Sequence, residues 1–123
     1  MIIEKTDSGF SAYSMDHSVY TTGMTIPALI DNAVEAINLF LEDENISLTH
    51  DQVKFEIDFK QFFLYYKVLN AKFLAEKIGM NPTLLSQYVQ GHKKPSKYQA
   101  QKILAGIRQI GNELAEINLI YNQ

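Results

Sequence analysis

The sequence predicts an α+β protein built from two modules, and three observations carry that reading. Strand-like alternation is confined to residues 2–22 and 53–57, helical periodicity runs through 26–41 and most of 59–123, and the charge changes sign between the halves. Residues 1–58 hold 2 Lys+Arg against 11 Asp+Glu, whereas residues 59–123 hold 9 against 3. The expected order is βββαβ over residues 1–57, then an all-α module of about five helices over residues 58–123.

The first apolar run, Met1 to Thr6, ends in the turn cluster Thr6-Asp7-Ser8-Gly9. Phe10 and Ala12 then alternate with Ser11 and Tyr13 as a second strand. Asp16-His17-Ser18 breaks it, and Val19-Tyr20-Thr21-Thr22 supplies β-formers for a third. Thr25 is an N-cap and Pro27 falls in a first turn, opening a helix whose Leu29, Ile30, Ala33, Ala36, Ile37, Phe40 and Leu41 recur on one face. Glu42-Asp43-Glu44-Asn45 puts acids at the negative end of that helix, so a frayed exit is expected. Val53, Phe55 and Ile57 alternate with Lys54, Glu56 and Asp58 as a half-buried strand.

Asp58, with Gln61 three residues on, caps a helix expected over Phe59–Leu69, and Ile57 with Phe62 would form a hydrophobic staple. No Gly/Ser-rich linker separates the modules. From Asn70 to Gly91 the chain reads as two short helices joined by a tight turn. Leu74, Ala75 and Ile78 give the first an apolar face, and Gly79 can take the left-handed conformation that ends it. Asn81 caps the second and Pro82 occupies its first turn, where a missing N–H costs nothing. Leu85, Tyr88 and Val89 face inward, leaving Thr83, Ser86, Gln87 and Gln90 outward. Gly91-His92-Lys93-Lys94-Pro95 follows, and a helix restarts at Ser96 with Gln99 completing a capping box. Ile103, Ile107, Ile110, Leu114, Ile117 and Tyr121 then form a heptad-like stripe too short for a coiled coil, and Gly106 and Gly111 predict a break near Gly111. The stretch Ile103–Ile110 is expected to join the core. Leu114, Ile117 and Tyr121 lack partners in so small a module, so a two-fold related copy is expected to bury them.

The outward set on the second short helix suits base edges in a major groove. Thr83, Ser86 and Gln87 are expected to read bases, with Pro82 against a thymine methyl. Asn70, Gln90, Lys93 and Lys94 are expected to hold phosphates. The acidic module suits a basic partner, with Asp7, Asp16, Asp31 and Glu35 as its contacts, although plain solvation explains the same residues. No enzyme, cofactor or metal is expected. Glu4, Asp7 and Asp16 sit at strand ends and turns, His17, His50 and His92 are isolated, and phosphate-cradling glycine motifs are missing. With 46% hydrophobic residues the chain is globular; it has no cysteine, no apolar run of membrane-spanning length and no signal-peptide layout, which fits the cytoplasm.

Two resemblances sharpen these expectations. Leu74-Ala75-Glu76-Lys77-Ile78-Gly79, Leu85-Ser86-Gln87 and Gly91-His92-Lys93-Lys94-Pro95-Ser96 resemble the Cro/Xre phage-repressor helix-turn-helix family over the last half of the chain. Ile2 to Tyr13, with its Gly9-Phe10-Ser11-Ala12-Tyr13, then Thr21-Thr22-Gly23-Met24-Thr25 and Ile30 to Ile37, resemble the HicB antitoxin family. The resemblance implies a partial ribonuclease-H-like fold for the first module. It further implies an antitoxin of a type II toxin-antitoxin system. Such a protein covers a small basic HicA-type ribonuclease toxin and represses its own operon through operator DNA. The homodimer expected from the C-terminal stripe leaves open whether dimers pair further into a tetramer. The short Met15-Asp16-His17-Ser18 segment departs from the family, which often carries a proline there. Two other readings stay open: a stand-alone regulator whose first module senses a ligand or only oligomerises, and a metal-dependent nuclease.

Overall fold

The computed structural model describes residues 1–121, and side chains as far as Ile117. By its internal contacts the chain divides into two compact units, Met1–Tyr65 and the part from Tyr66 onward.

The first unit is α+β. Strands β1 (Ile2–Thr6), β2 (Gly9–Tyr13) and β3 (Tyr20–Gly23) form an antiparallel meander, and helix α1 (Ile26–Phe40) follows. Strand β4 (Glu56–Ile57) returns parallel to β1, so the sheet order is β3-β2-β1-β4. Thr25 caps α1 by accepting the Ala28 N–H at 3.2 Å. Cross-strand register puts Ile3, Ala12 and Ile57 on the same sheet face, where Leu29 and Ala33 of α1 close over them. A second cluster of Val19, Ile37 and Leu41 fills the end of the layer, backed by Leu48 and Val53.

Three expectations for this unit change. The exit of α1 is not frayed: buried Leu41 anchors it, Glu42–Glu44 forms a 3-10 turn, and Asn45 closes that turn at φ 55° with its N–H on the Glu42 carbonyl. The last strand is shorter than the 53–57 alternation predicts. Val53 completes a second 3-10 turn over His50–Gln52, and its side chain and that of Phe55 enter the core without strand pairing. The ladder begins only where the Glu56 N–H reaches the Met1 carbonyl (2.9 Å) and the Asp58 N–H reaches that of Ile3 (3.0 Å). Helix α2 (Phe59–Tyr65) stops four residues before the expected Leu69, where the Leu69 N–H turns back to the Tyr66 carbonyl.

Helix α2 also lies in the first unit, not the second, so the units divide eight residues beyond the 57/58 boundary expected from sequence. Gln61 explains why. Asp58 caps α2 as expected, accepting the Gln61 N–H at 3.0 Å, but Gln61 does not complete the capping box. Its carboxamide instead accepts the Lys5 N–H (2.9 Å) and donates to the Lys5 carbonyl (2.7 Å), extending the β4 pairing with a side chain. Asn38 treats Leu48 the same way, accepting its N–H at 2.7 Å and donating to its carbonyl at 3.0 Å. Gln61→Ala leaves two partly buried backbone groups of Lys5 unpaired and is expected to cost about 1–3 kcal/mol. Urea unfolding measures it; a midpoint equal to wild type would mean that water replaces the amide at no cost.

The second unit is all-α, with α3 (Ala71–Ile78), α4 (Pro82–Val89) and α5 (Lys97–Tyr121). Leu74, Ala75, Met80, Leu85, Tyr88 and Ile103 are buried. Four helices therefore follow residue 58, not about five, because α5 runs unbroken through both glycines. At Gly106 a Cβ would stand 2.3 Å from Ile78 Cγ2, so the missing side chain is what lets α3 seat on α5. Gly111 has nothing within 4 Å, and its helix cost of about 1 kcal/mol is outweighed by the good helix formers Glu113, Leu114, Ala115 and Glu116 that follow. No helix among the described residues is long and apolar enough to cross a membrane.

Candidate nucleic-acid interface

Local chemistry sets the geometry from Asn70 to Ser96. Asn70 caps α3, its Oδ1 accepting the Phe73 N–H at 3.1 Å. Gly79 then takes φ 69°, a conformation that costs an L side chain about 1–2 kcal/mol, and Met80 doubles back with its N–H on the Ala75 carbonyl at 2.9 Å. Asn81 caps α4 by accepting from Thr83 (2.8 Å) and Leu84 (3.3 Å), with Pro82 at the first helical position. Two eight-residue helices are thus joined by a three-residue turn whose capping matches the sequence expectation residue by residue.

The expected readers fall on one side of α4. Leu85 and Tyr88 are buried; Pro82, Thr83 and Gln90 are exposed, and Ser86 and Gln87 are half-buried. Thr83, Gln87 and Gln90 recur at spacings of 4 and 3, a single outward row. The Ser86 hydroxyl accepts from Gln90 Nε2 at 3.2 Å, so these two act as a linked pair rather than as separate contacts. Beyond α4, Gly91 turns out at φ 78°, and the Gln87 carbonyl accepts the N–H groups of His92 (2.9 Å) and Lys93 (3.3 Å). That pins the segment bearing the exposed Lys93 and Lys94 against the last turn of α4. Asn70 has its oxygen committed to capping, which leaves its Nδ2 as the group able to donate to a phosphate. Ser96 accepts the Gln99 N–H at 3.2 Å at the start of α5.

Counted over the observed units, residues 1–65 carry 3 Lys+Arg against 11 Asp+Glu, and residues 66–123 carry 8 against 3. The row on α4 therefore belongs to a basic unit, and a polyanion is attracted to it.

The apolar stripe of α5 fades along its length. Ile103 is fully buried and Ile107 and Ile110 are half-buried, as expected, while Leu114 is 61% and Ile117 51% exposed. The Tyr121 side chain lies outside the described residues. Sequence reasoning missed Phe73, 65% exposed on α3, one turn from Lys77. Lys77 Nζ in turn meets the Glu113 carboxylate at 3.2 Å, tying that flank of α3 to the exposed part of α5.

The four expected acidic contacts of the first unit do not form one patch. Asp7 and Asp16 lie beyond opposite ends of β2, a five-residue strand on the order of 17 Å long. Asp7 accepts from the Tyr65 hydroxyl (3.0 Å), and Asp31 pairs with His50 Nε2 (2.7 Å); Glu35 lies one turn beyond Asp31 on the exposed side of α1. Another acidic surface went unread. On the sheet face away from α1, the register sets Tyr20, Tyr13, Ile2 and Glu56 in one row and Thr22, Ser11 and Glu4 in the next. There the Tyr13 phenol is pushed above its usual range, first by burial and then by the carboxylates of Glu4 and Asp58. The alternation within the first two strands carried this signal. Among the described residues, no three His, Asp or Glu side chains gather as a metal site requires.

Set against known protein families, curated proteins and solved structures, the chain matches none.

Proposed function

We propose that this chain is a cytoplasmic HicB-like antitoxin: a regulator that binds operator DNA through a helix-turn-helix unit and a small basic HicA-type ribonuclease toxin through its acidic unit. It works by binding, not by catalysis, and needs no cofactor. The observation that carries the reading is the α3–turn–α4 geometry, in which Gly79 and Asn81 fix the turn and Pro82, Thr83, Ser86 and Gln87 share the accessible side of α4, followed by the exposed Lys93 and Lys94.

In this reading α4 enters the major groove, Thr83, Ser86 and Gln87 meet base edges with Pro82 against a thymine methyl, and Asn70, Gln90, Lys93 and Lys94 hold phosphates. A homodimer places two such helices about one DNA turn apart. The exposed Leu114 and Ile117 are the surface that a second copy would cover; two dimers could pair further into a tetramer.

Gel shifts on the DNA upstream of the gene test it. Gln87→Ala is expected to cost about 1–3 kcal/mol of binding and relax preference at one base pair, whereas Lys93→Ala weakens all sequences alike and lowers the salt slope by about 1. If both variants bind as wild type does, α4 is not the reading helix.

A further inference from the structure

We propose that the sheet face opposite α1 is a docking surface for an arginine-rich segment of a protein partner, with the tyrosine row as platform and the neighbouring carboxylates as anchors. This deepens the protein-binding half of the reading above and rests on it.

The first observation is that α1 covers only one side of the sheet. Ile3, Ala12 and Ile57 pack beneath it, whereas Tyr20 on the other side is 66% exposed and Thr22 and Glu56 are also exposed. A half-covered antiparallel sheet ordinarily turns mixed polar residues to water. Here the exposed side is ordered into two kinds of row. Tyr20 and Tyr13 stand directly opposite one another across β3 and β2, and Ile2 continues the row on β1. Beside them Thr22, Ser11 and Glu4 form a polar row, with Glu56 closing the aromatic row at β4. Ser11 is buried, at 5% exposure, and Ile2, Glu4 and Tyr13 beside it are half-buried, so the row opens to solvent chiefly at Tyr20, Thr22 and Glu56.

The second observation is the field. Burial first, and then the carboxylates of Glu4 and Asp58, push the Tyr13 phenol up, so both acids lie near enough to the aromatic row to act on it. Tyrosine faces attract guanidinium groups by their ring quadrupole, and Arg adds a planar fork that a carboxylate accepts in pairs. Charge complementarity then selects the occupant. A polyanion is repelled from a unit with 11 acidic against 3 basic residues, and a neutral strand gains nothing from the carboxylates. A segment presenting arginines at every second position would place stems over Tyr13 and Tyr20 and heads on Glu4 and Glu56.

The full-length, nitrogen-15-labelled protein is titrated at low salt with a fluorescein-labelled peptide of alternating arginine and glycine, followed by amide shifts and by anisotropy. Operator binding is measured in parallel, so a failure of the DNA reading is seen separately. Shifts centred on Glu4, Ser11, Tyr13, Tyr20 and Thr22 are expected. Glu4→Gln with Glu56→Gln should weaken the peptide about tenfold, and Tyr20→Ala about threefold. These are surface changes that leave the α1 side of the sheet untouched. Asp43→Asn with Glu44→Gln, which removes the same charge from the exposed 3-10 turn after α1, should leave affinity unchanged. The proposal is overturned by shifts centred on α1, by equal weakening from the two double variants (an effect of net charge only), or by the absence of saturable binding.

Discussion

Gly23→Ala is expected to destabilise the first unit by about 3 kcal/mol or more, near the upper end for an overpacked core site. A Cβ at Gly23 would stand 2.5 Å from the Leu29 backbone nitrogen and 2.6 Å from its Cα. Those are helix backbone atoms that no rotamer change can move away. Leu29 itself is fully buried at the centre of the layer, so relief requires α1 to lift from the sheet and open the cluster of Ile3, Ala12 and Ala33. The Gly23 carbonyl in turn fills the space that a side chain at Gly9 would need, 2.4 Å from where its Cβ would be, so β3 packs closely on both sides. For a unit of this size total stability is on the order of 3–10 kcal/mol, so the variant loses a third of it or all of it. Chemical unfolding followed by far-UV circular dichroism measures the change. Wild-type stability would mean that β3 and α1 are not in fact locked together.

Truncation after Gly111 is expected to yield a monomer in light scattering and to weaken operator binding by about a hundredfold or more, since two linked half-site contacts become one. The deleted stretch carries the exposed Leu114 and Ile117, and it leaves Ile103, the buried part of the stripe, in place. Among the described residues its ion pair to α3 is Lys77–Glu113, which is partly open to solvent, and exposed pairs of this kind contribute at most about 1 kcal/mol. The second unit should therefore stay folded. The full-length double variant Leu114→Asp with Ile117→Asp separates loss of a surface from loss of chain length and should behave as the truncation does. A truncated protein that remains dimeric would move the interface to the first unit.

Most of the fold was legible because short-range chemistry fixed it. Thr25, Asn81 and Ser96 were recognisable as caps, and each accepts a backbone N–H within three residues of itself. The βββαβ order followed from alternation that survives because each sheet face meets a different medium. What escaped the sequence depended on partners far along the chain. Gln61 looked like half of a capping box three residues from Asp58, yet its amide is drawn to Lys5, 56 residues away. The unbroken α5 likewise turns on Ile78 filling the space above Gly106, a contact no propensity scale contains. For the candidate sites the same division holds. The outward row of α4 was readable from helical spacing, whereas the four acids chosen by exposure alone lie apart, because the register that groups Glu4 with Tyr13 and Tyr20 is a property of the paired sheet.

The amide of Gln61 also sets an order in time. Strand β1 is synthesised before its partners, but its pairing on the β4 side waits for residues 56–58, and its last backbone groups on that side wait for Gln61. While the nascent chain is shorter than that, β1 is held only by the hairpin with β2, and a lone hairpin is marginal in water. The earliest strand is thus the last to be completed, and a ribosome must release α2 before the first unit can close as a cooperative whole. A stall or premature stop within residues 45–60 would leave an open, acidic sheet edge for proteases to find, so incomplete copies of this unit would be cleared while finished ones persist.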